Sequence, residues 1–124
     1  MKLDKDKTED LRYSLKLTLY KETKFFGPGV VTLLEHVDQT HSLSKASKRM
    51  SLAYTKALKI IKTAEQSLGY PLLDRQTGGA SGGGSILTPN AHILMQEYKT
   101  FESSVNKAAN QQFDILVSKM NKLK

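Results

Sequence analysis

Between Leu11 and Tyr20 the chain alternates, with Leu11, Tyr13, Leu15, Leu17 and Leu19 on one side and Arg12, Ser14, Lys16 and Thr18 on the other. A period of two is that of a half-buried strand, so the pattern predicts an N-terminal strand here. The stretch "KETKFFGPG" then turns the chain, and the period lengthens. Val30 or Val31, Leu33, Leu34 and Val37 share one helical face, and Pro28 suits a first turn, where its missing N–H is not needed. Leu43, Ala46 and Met50 mark a second, shorter helix that Ser42 can cap. From Ala53 to Leu68 a stripe of Tyr54, Ala57, Leu58, Ile61, Ala64 and Leu68 predicts a third helix, which Gly69 and Pro71 stop.

The segments "PLLDRQT" and "SILT" read as two short strands joined by a loop that holds five of the chain's eight glycines. Three helices followed by a hairpin give the element order of a winged helix-turn-helix. Thr88 can cap a last helix that starts at Pro89, along which Leu94, Tyr98, Phe101, Val105, Ala109, Phe113, Leu116, Met120 and Leu123 step by three or four residues. Such a helix is about 50 Å long and outruns what a small domain can cover. The expected fold is therefore mainly α (α+β): an N-terminal strand, a winged helix-turn-helix with a Gly-rich wing, and a long C-terminal dimerisation helix. The expected division is a flexible N-terminus over 1–10, a DNA-binding domain over 11–88 and the dimerisation helix over 89–124. Phe101, Val105, Phe113, Leu116 and Met120 are the candidate homodimer contacts.

Charge sharpens this picture. The chain has 124 residues with 19 Lys plus Arg against 12 Asp plus Glu, a net charge of +7. From Gln39 through Ala64 there is no acid, yet Lys45, Lys48, Arg49, Lys56, Lys59 and Lys62 all fall inside. That concentrated positive field points to an anionic polymer. There is no cysteine, which removes disulfides and thiolate chemistry. The charged N-terminus and short apolar runs argue against a secretory signal or membrane span, so a cytoplasmic protein with no membrane partner is expected.

No enzymatic constellation is legible. The glycine loop lacks the lysine of a nucleotide cradle. His36, His41 and His92 have no partner at helical metal-site spacing, and Glu35 and Asp38 come with no sign of a pocket. No catalytic residue, metal or cofactor is expected. Phe25 and Phe26 precede a helix without interleaved basic residues and read as core plugs. The third helix, by contrast, presents Ala53, Thr55, Lys56 and Lys59 near its N-terminal end, where polar and small side chains reach base edges. Lys45, Lys48 and Arg49 on the shorter helix suit phosphates, with Ser42 at its head in the same candidate set. In the wing, Gly82, Gly83 and Gly84 are expected to let the backbone approach a phosphate closely, with little bearing on stability.

The residues then show a resemblance. The Phe26–Gly29 "FGPG", the pattern "LLEHVDQTHSLSKAS", Tyr54 opening the third helix, "PLLDRQTGG" with "GGGS", and "LTPNA" recur as one block. The block, about Leu11 to Glu102, is similar to the N-terminal winged-helix domain of ModE-type molybdate-responsive transcriptional regulators, which is related to the LysR-type DNA-binding domain. The resemblance implies a dimeric bacterial regulator reading palindromic double-stranded DNA. It also implies Tyr54, Thr55 and Lys56 at the groove and Arg75, Gln76 and Thr77, with the wing, at the backbone. Ala53 stands where the family often has a capping serine, so operator preference does not carry over. Molybdate-sensing members continue into small β-barrel domains, whereas this sequence stops at Lys124, so molybdate binding by this chain is not expected. The alternative function is a protein-interaction or assembly module built on a winged helix.

Overall fold

The computed structural model describes residues 10–76 and 84–123. Helix α1 (Pro28–Thr40) has its proline in the first turn and buries Val31, Leu33, Leu34 and Val37. It ends at His41, which takes the left-handed conformation at φ 55° and returns its N–H to the Val37 carbonyl at 2.6 Å. Helix α2 (Leu43–Arg49) follows at once, with the Ser42 hydroxyl accepting the Lys45 N–H at 3.1 Å, and buries Leu43, Ala46 and Ser47. Helix α3 (Tyr54–Leu68) begins without a side-chain cap because Ala53 has nothing to offer, and buries Ala57, Ile61 and Ala64. Gly69, at φ 85°, closes it with an N–H to the Glu65 carbonyl. A left-handed stop of this kind suits glycine, which has no Cβ to collide with the preceding turn. Tyr54, Leu58 and Leu68, expected on the packed stripe, are exposed or half-buried.

The N-terminal strand differs from its expectation. Only Leu19–Tyr20 forms a strand, β1, and it pairs antiparallel with β2 (Lys24–Phe26), a stretch expected to be turn. Residues 11–18 lie in no ladder, and Tyr13 and Leu15 on the supposed inner side are 38% and 55% exposed. Alternation specifies a strand only where a neighbouring backbone receives its hydrogen bonds, and here that partner is three residues long. Phe26, at 1% exposure, does plug the core, whereas Phe25 is half-buried.

The wing strands β3 (Leu73–Gln76) and β4 (Gly84–Leu87) pair antiparallel, with Leu73 opposite Leu87 and Gln76 opposite Gly84. The Thr88 hydroxyl then accepts the Ala91 N–H and donates to the Pro71 carbonyl, which caps α4 (Pro89–Asn121) and ties its start to the entrance of β3. Residues 16–97 form one compact unit, which therefore takes in the first turns of α4 as well as the helices and the hairpin. Its core is Phe26, Leu33, Leu34, Val37, Ile61 and Leu72, extended by Leu87, Ala91 and Met95. The described residues of Met1–Leu15 and Tyr98–Lys124 form a second unit, in which the Tyr13 ring packs on Phe113 with centroids 4.8 Å apart. The Tyr13 hydroxyl in that unit also donates to Asn110 Oδ1.

Gly84 corrects one expectation of the sequence. A Cβ at Gly84 would stand 2.7 Å from the His41 carbonyl oxygen, a backbone atom that cannot swing away. The Ser85 N–H donates to that same oxygen at 3.0 Å, so β4 is seated on the end of α1 by backbone contact. Gly84 is therefore needed for packing, and a substitution there acts on stability. Gly82 and Gly83 lie outside the described residues.

Gly84→Ala is expected to lower folding stability by about 1–3 kcal/mol through forced separation of β4 from α1. Gly29→Ala is expected to have the opposite sign, a gain of up to about 1 kcal/mol, because this helical glycine has open space around it and alanine narrows the unfolded ensemble. Urea denaturation of both variants checks the contrast; equal effects would contradict the close approach at His41.

Candidate nucleic-acid interface

The same turns that end one helix aim the next. His41 and Ser51 both adopt positive φ, so the chain reverses sharply on either side of α2, which packs against α1 and α3. With Ala57 and Ile61 buried, the opposite side of α3 presents Thr55, Lys56 and Lys59 to solvent beside the exposed Ala53. Lys45 and Lys48 are exposed on α2. The sequence-derived reading face thus lies on one short helical span, where alternating burial separates its apolar and cationic sides.

Arg49, a candidate phosphate ligand, is exposed and also makes contacts within the protein. Its guanidinium donates to Gln39 Oε1 at 2.7 Å and lies 3.4 Å from His36 Nδ1, which ties it back onto α1. His92 Nε2 sits 3.8 Å from Asp38 Oδ1 on the exposed surface of the same unit, bridging the start of α4 to α1. Two of the three histidines are therefore in helix-to-helix contacts, and His41 is the left-handed residue that ends α1.

A cleft joins parts of the surface that are distant in sequence. Ser42, Leu43 and Ser44 at the head of α2, Tyr54 at the head of α3, and Arg75, Gln76, Gly84 and Ser85 from the wing strands line it together. Arg75 Nη1 donates to the Tyr54 hydroxyl at 3.1 Å, so the first residue of α3 is coupled to the outer part of β3. Arg75 and Gln76 are exposed and Tyr54 is 40% exposed, which leaves their polar ends available beside the helix heads. Thr77 lies outside the described residues, as do Gly82 and Gly83. The structure accordingly brings Ser42, Tyr54 and Arg75 to one cleft and leaves Lys45, Lys48, Lys56 and Lys59 as exposed cations on α2 and α3.

Ser44 and Ser85 are cleft residues that the sequence reading missed, because a serine between lysine-rich helices or inside a strand carries no signature of its own. Glu65 was missed for another reason. Its carboxylate Oε2 accepts the N–H groups of Leu72 at 2.8 Å and Leu73 at 3.3 Å. The signal was present, since Glu65 is the only acid between Asp38 and Asp74. Elsewhere, burial and the neighbouring Glu102 carboxylate push the Tyr98 hydroxyl above the usual tyrosine range.

Known proteins share the fold that carries these residues. Residues 30–92 match the family described as bacterial regulatory helix-turn-helix protein, lysR family. The transcriptional regulator ModE of Haemophilus influenzae is 32% identical over 96 residues, which make up 77% of this chain and 36% of that protein. The DNA-binding transcriptional dual regulator ModE of Escherichia coli K12 is 32% identical over 107 residues, covering 86% of this chain and 39% of that protein. This chain thus spans well under half the length of these curated relatives. Among solved structures, the DNA-binding domain of CbnR in its DNA complex superposes with a TM-score of 0.54 at 15% identity, covering 71% of this chain and 95% of that one. The BenM DNA-binding domain with benA site 1 DNA gives 0.52 at 23% identity, covering 71% and 93%. These likenesses show the fold, a winged helix-turn-helix. With half of its residues inside the family match and the helices and hairpin in the expected order, the chain belongs to the lysR family of bacterial regulatory helix-turn-helix proteins.

Proposed function

We propose that this chain is a transcriptional regulator that binds double-stranded DNA, with α3 reading base edges and α2 and the wing holding phosphates. The observation that carries the reading is the exposed row of Thr55, Lys56 and Lys59 at the head of α3, beside the cleft that joins Ser42, Tyr54 and Arg75. Lysine donates to guanine O6 and N7, and the threonine methyl fits a thymine methyl. Lys45 and Lys48 take phosphates, as do Arg75 and the wing, and these contacts set register without selecting sequence. Membership of the lysR family supports the reading, as do the ModE transcriptional regulators among its relatives and the DNA complexes among its structural neighbours. No enzymatic step is part of the proposal, and oxyanion binding is not ascribed to these residues. No helix among the described residues is long and apolar enough to cross a membrane.

The chain acts as a homodimer through the outer part of α4. Phe101, Leu116 and Met120 are 50%, 53% and 36% exposed, apolar positions that a second copy of the helix would cover. Val105 and Phe113 are half-buried, and Phe113 already carries the Tyr13 ring, so they contribute less to such a face. A two-fold pair presents two α3 helices to one side of the duplex and reads a palindrome. Selection of bound sequences from a random DNA pool tests the whole reading: recovery of a two-fold symmetric site supports it, and recovery of no common sequence removes it.

Affinity for duplex DNA is expected to fall steeply with salt, with a log–log slope near −4 to −5 per subunit if about five phosphates are neutralised. Lys56→Ala and Thr55→Ala are each expected to cost about 1–3 kcal/mol at the base pairs they read, while Lys48→Ala weakens selected and random duplexes alike. Competition binding with both duplexes checks this, and equal losses for both kinds of variant would displace α3 as the reader.

Leu116→Asp combined with Met120→Asp is expected to give a folded monomer with much weaker DNA binding, because both side chains are exposed and the substitutions leave Tyr13 and Phe113 themselves in place. Light scattering of the two proteins decides; an unmodified protein that is monomeric at tens of micromolar would remove the dimer.

A further inference from the structure

Glu65 is a negative charge on the helix assigned to read DNA, in a stretch from Gln39 to Leu73 that is otherwise free of acid. A carboxylate there works against the attraction of phosphates, so its presence calls for a different job. Its geometry supplies one. Oε2 receives the N–H groups of both Leu72 and Leu73, residues that are 0% and 9% exposed and lead directly into β3. Hydrogen bonds to an ionised acceptor are about twice as strong as neutral ones, and a half-buried setting screens them little.

The far end of the same strand meets the same helix. Arg75, two residues beyond Leu73, donates to the hydroxyl of Tyr54, eleven residues before Glu65 on α3. Strand β3 is thus tied to α3 at two points, one through a half-buried carboxylate and one through an exposed phenol. The exposed tie is weak by itself, because both long side chains lose freedom in making it and water competes for both groups. The Glu65 tie fixes where β3 leaves the helix, and that placement delivers the Arg75 guanidinium to the head of α3.

We infer that Glu65 is a positioning residue for the wing, which sets the DNA affinity of the chain without touching DNA by holding β3 so that Arg75 stands beside Tyr54 at the phosphate backbone. The inference rests on the proposed reading that Arg75 meets a phosphate. Substituting Glu65 removes a negative charge from a basic surface, so simple electrostatics predicts tighter binding, whereas the positioning role predicts the opposite.

The test is a double-mutant cycle on the full chain, using Glu65→Ala, Arg75→Ala and the double variant, each first shown to be folded by circular dichroism. Affinity for a duplex of random sequence is measured across a salt series. Each single variant is expected to bind about tenfold more weakly, with a log–log slope shallower by about 0.9, the loss of one phosphate contact. The double variant is expected to bind no more weakly than Arg75→Ala alone, and Glu65→Gln, which keeps an oxygen acceptor, is expected to recover most of the affinity. Loss of thermal stability alone would move neither the slope nor the coupling. Multiplying losses, or a Glu65→Ala protein that binds as tightly as the unmodified one or more tightly, would overturn the inference. Should Glu65→Ala not fold, the cycle is read on Glu65→Asp, which keeps the charge but is one methylene too short to reach both N–H groups; multiplying losses there overturn it equally. A flat salt response of the unmodified protein would instead sink the DNA reading beneath it.

Discussion

The His41 carbonyl is the point on which the arrangement of helices and wing depends. Because His41 is left-handed, its carbonyl turns away from the helix that it ends and faces β4, where it accepts the Ser85 N–H and lies against Gly84. Ser42 follows immediately and caps α2, so one reversal of the chain both launches the second helix and receives the second wing strand. A backbone-to-backbone seat of this kind has no side-chain freedom to absorb error. It fixes β4 to within the tolerance of a hydrogen bond, and β3 follows through its four paired residues.

The putting together of the cationic surface follows from that seat and from the second fastening at Glu65. Ser42 and Ser44 reach the cleft because α2 starts at the reversal, Gly84 and Ser85 because β4 rests on it, and Tyr54 with Arg75 because α3 and β3 are tied along their lengths. None of these ties is large by itself. A net hydrogen bond is worth about 1 kcal/mol, so it is the burial of Phe26, Leu33, Leu34, Val37, Ile61 and Leu72 beneath them that supplies stability. The hydrogen bonds choose which of several similar packings is adopted, and thereby the spacing of the exposed cations.

Helix α4 has two characters along its length. Ala91 and Met95 are buried with the winged-helix unit, held by the Thr88 cap and its bond to Pro71. Further along, Val105, Ala109, Phe113 and Val117 are half-buried at four-residue spacing, while Phe101, Leu116 and Met120 stay exposed. Part of the apolar stripe is thus satisfied by the chain itself, through Tyr13 on Phe113, and part is not. A stripe read from spacing alone counts both parts together.

Sequence by itself determined the elements of this protein wherever the signal was local. Helical spacing with Pro28, Ser42, Gly69 and Thr88 at the ends marked α1, α2, α3 and the start of α4, because caps and stops act within a few residues of themselves. The acid-free run and the helix order likewise made the basic face of α3 legible. What only the tertiary structure decided were the contacts between residues far apart in the chain. The alternating stretch from Leu11 became a two-residue strand because its partner is only three residues long, and Arg49 was drawn onto Gln39 and His36. Gly84 proved to be shaped by His41, Glu65 by Leu72 and Leu73, and Phe113 by Tyr13. Each of these depends on which backbone or ring arrives opposite, and a residue's own neighbours in sequence carry no record of that.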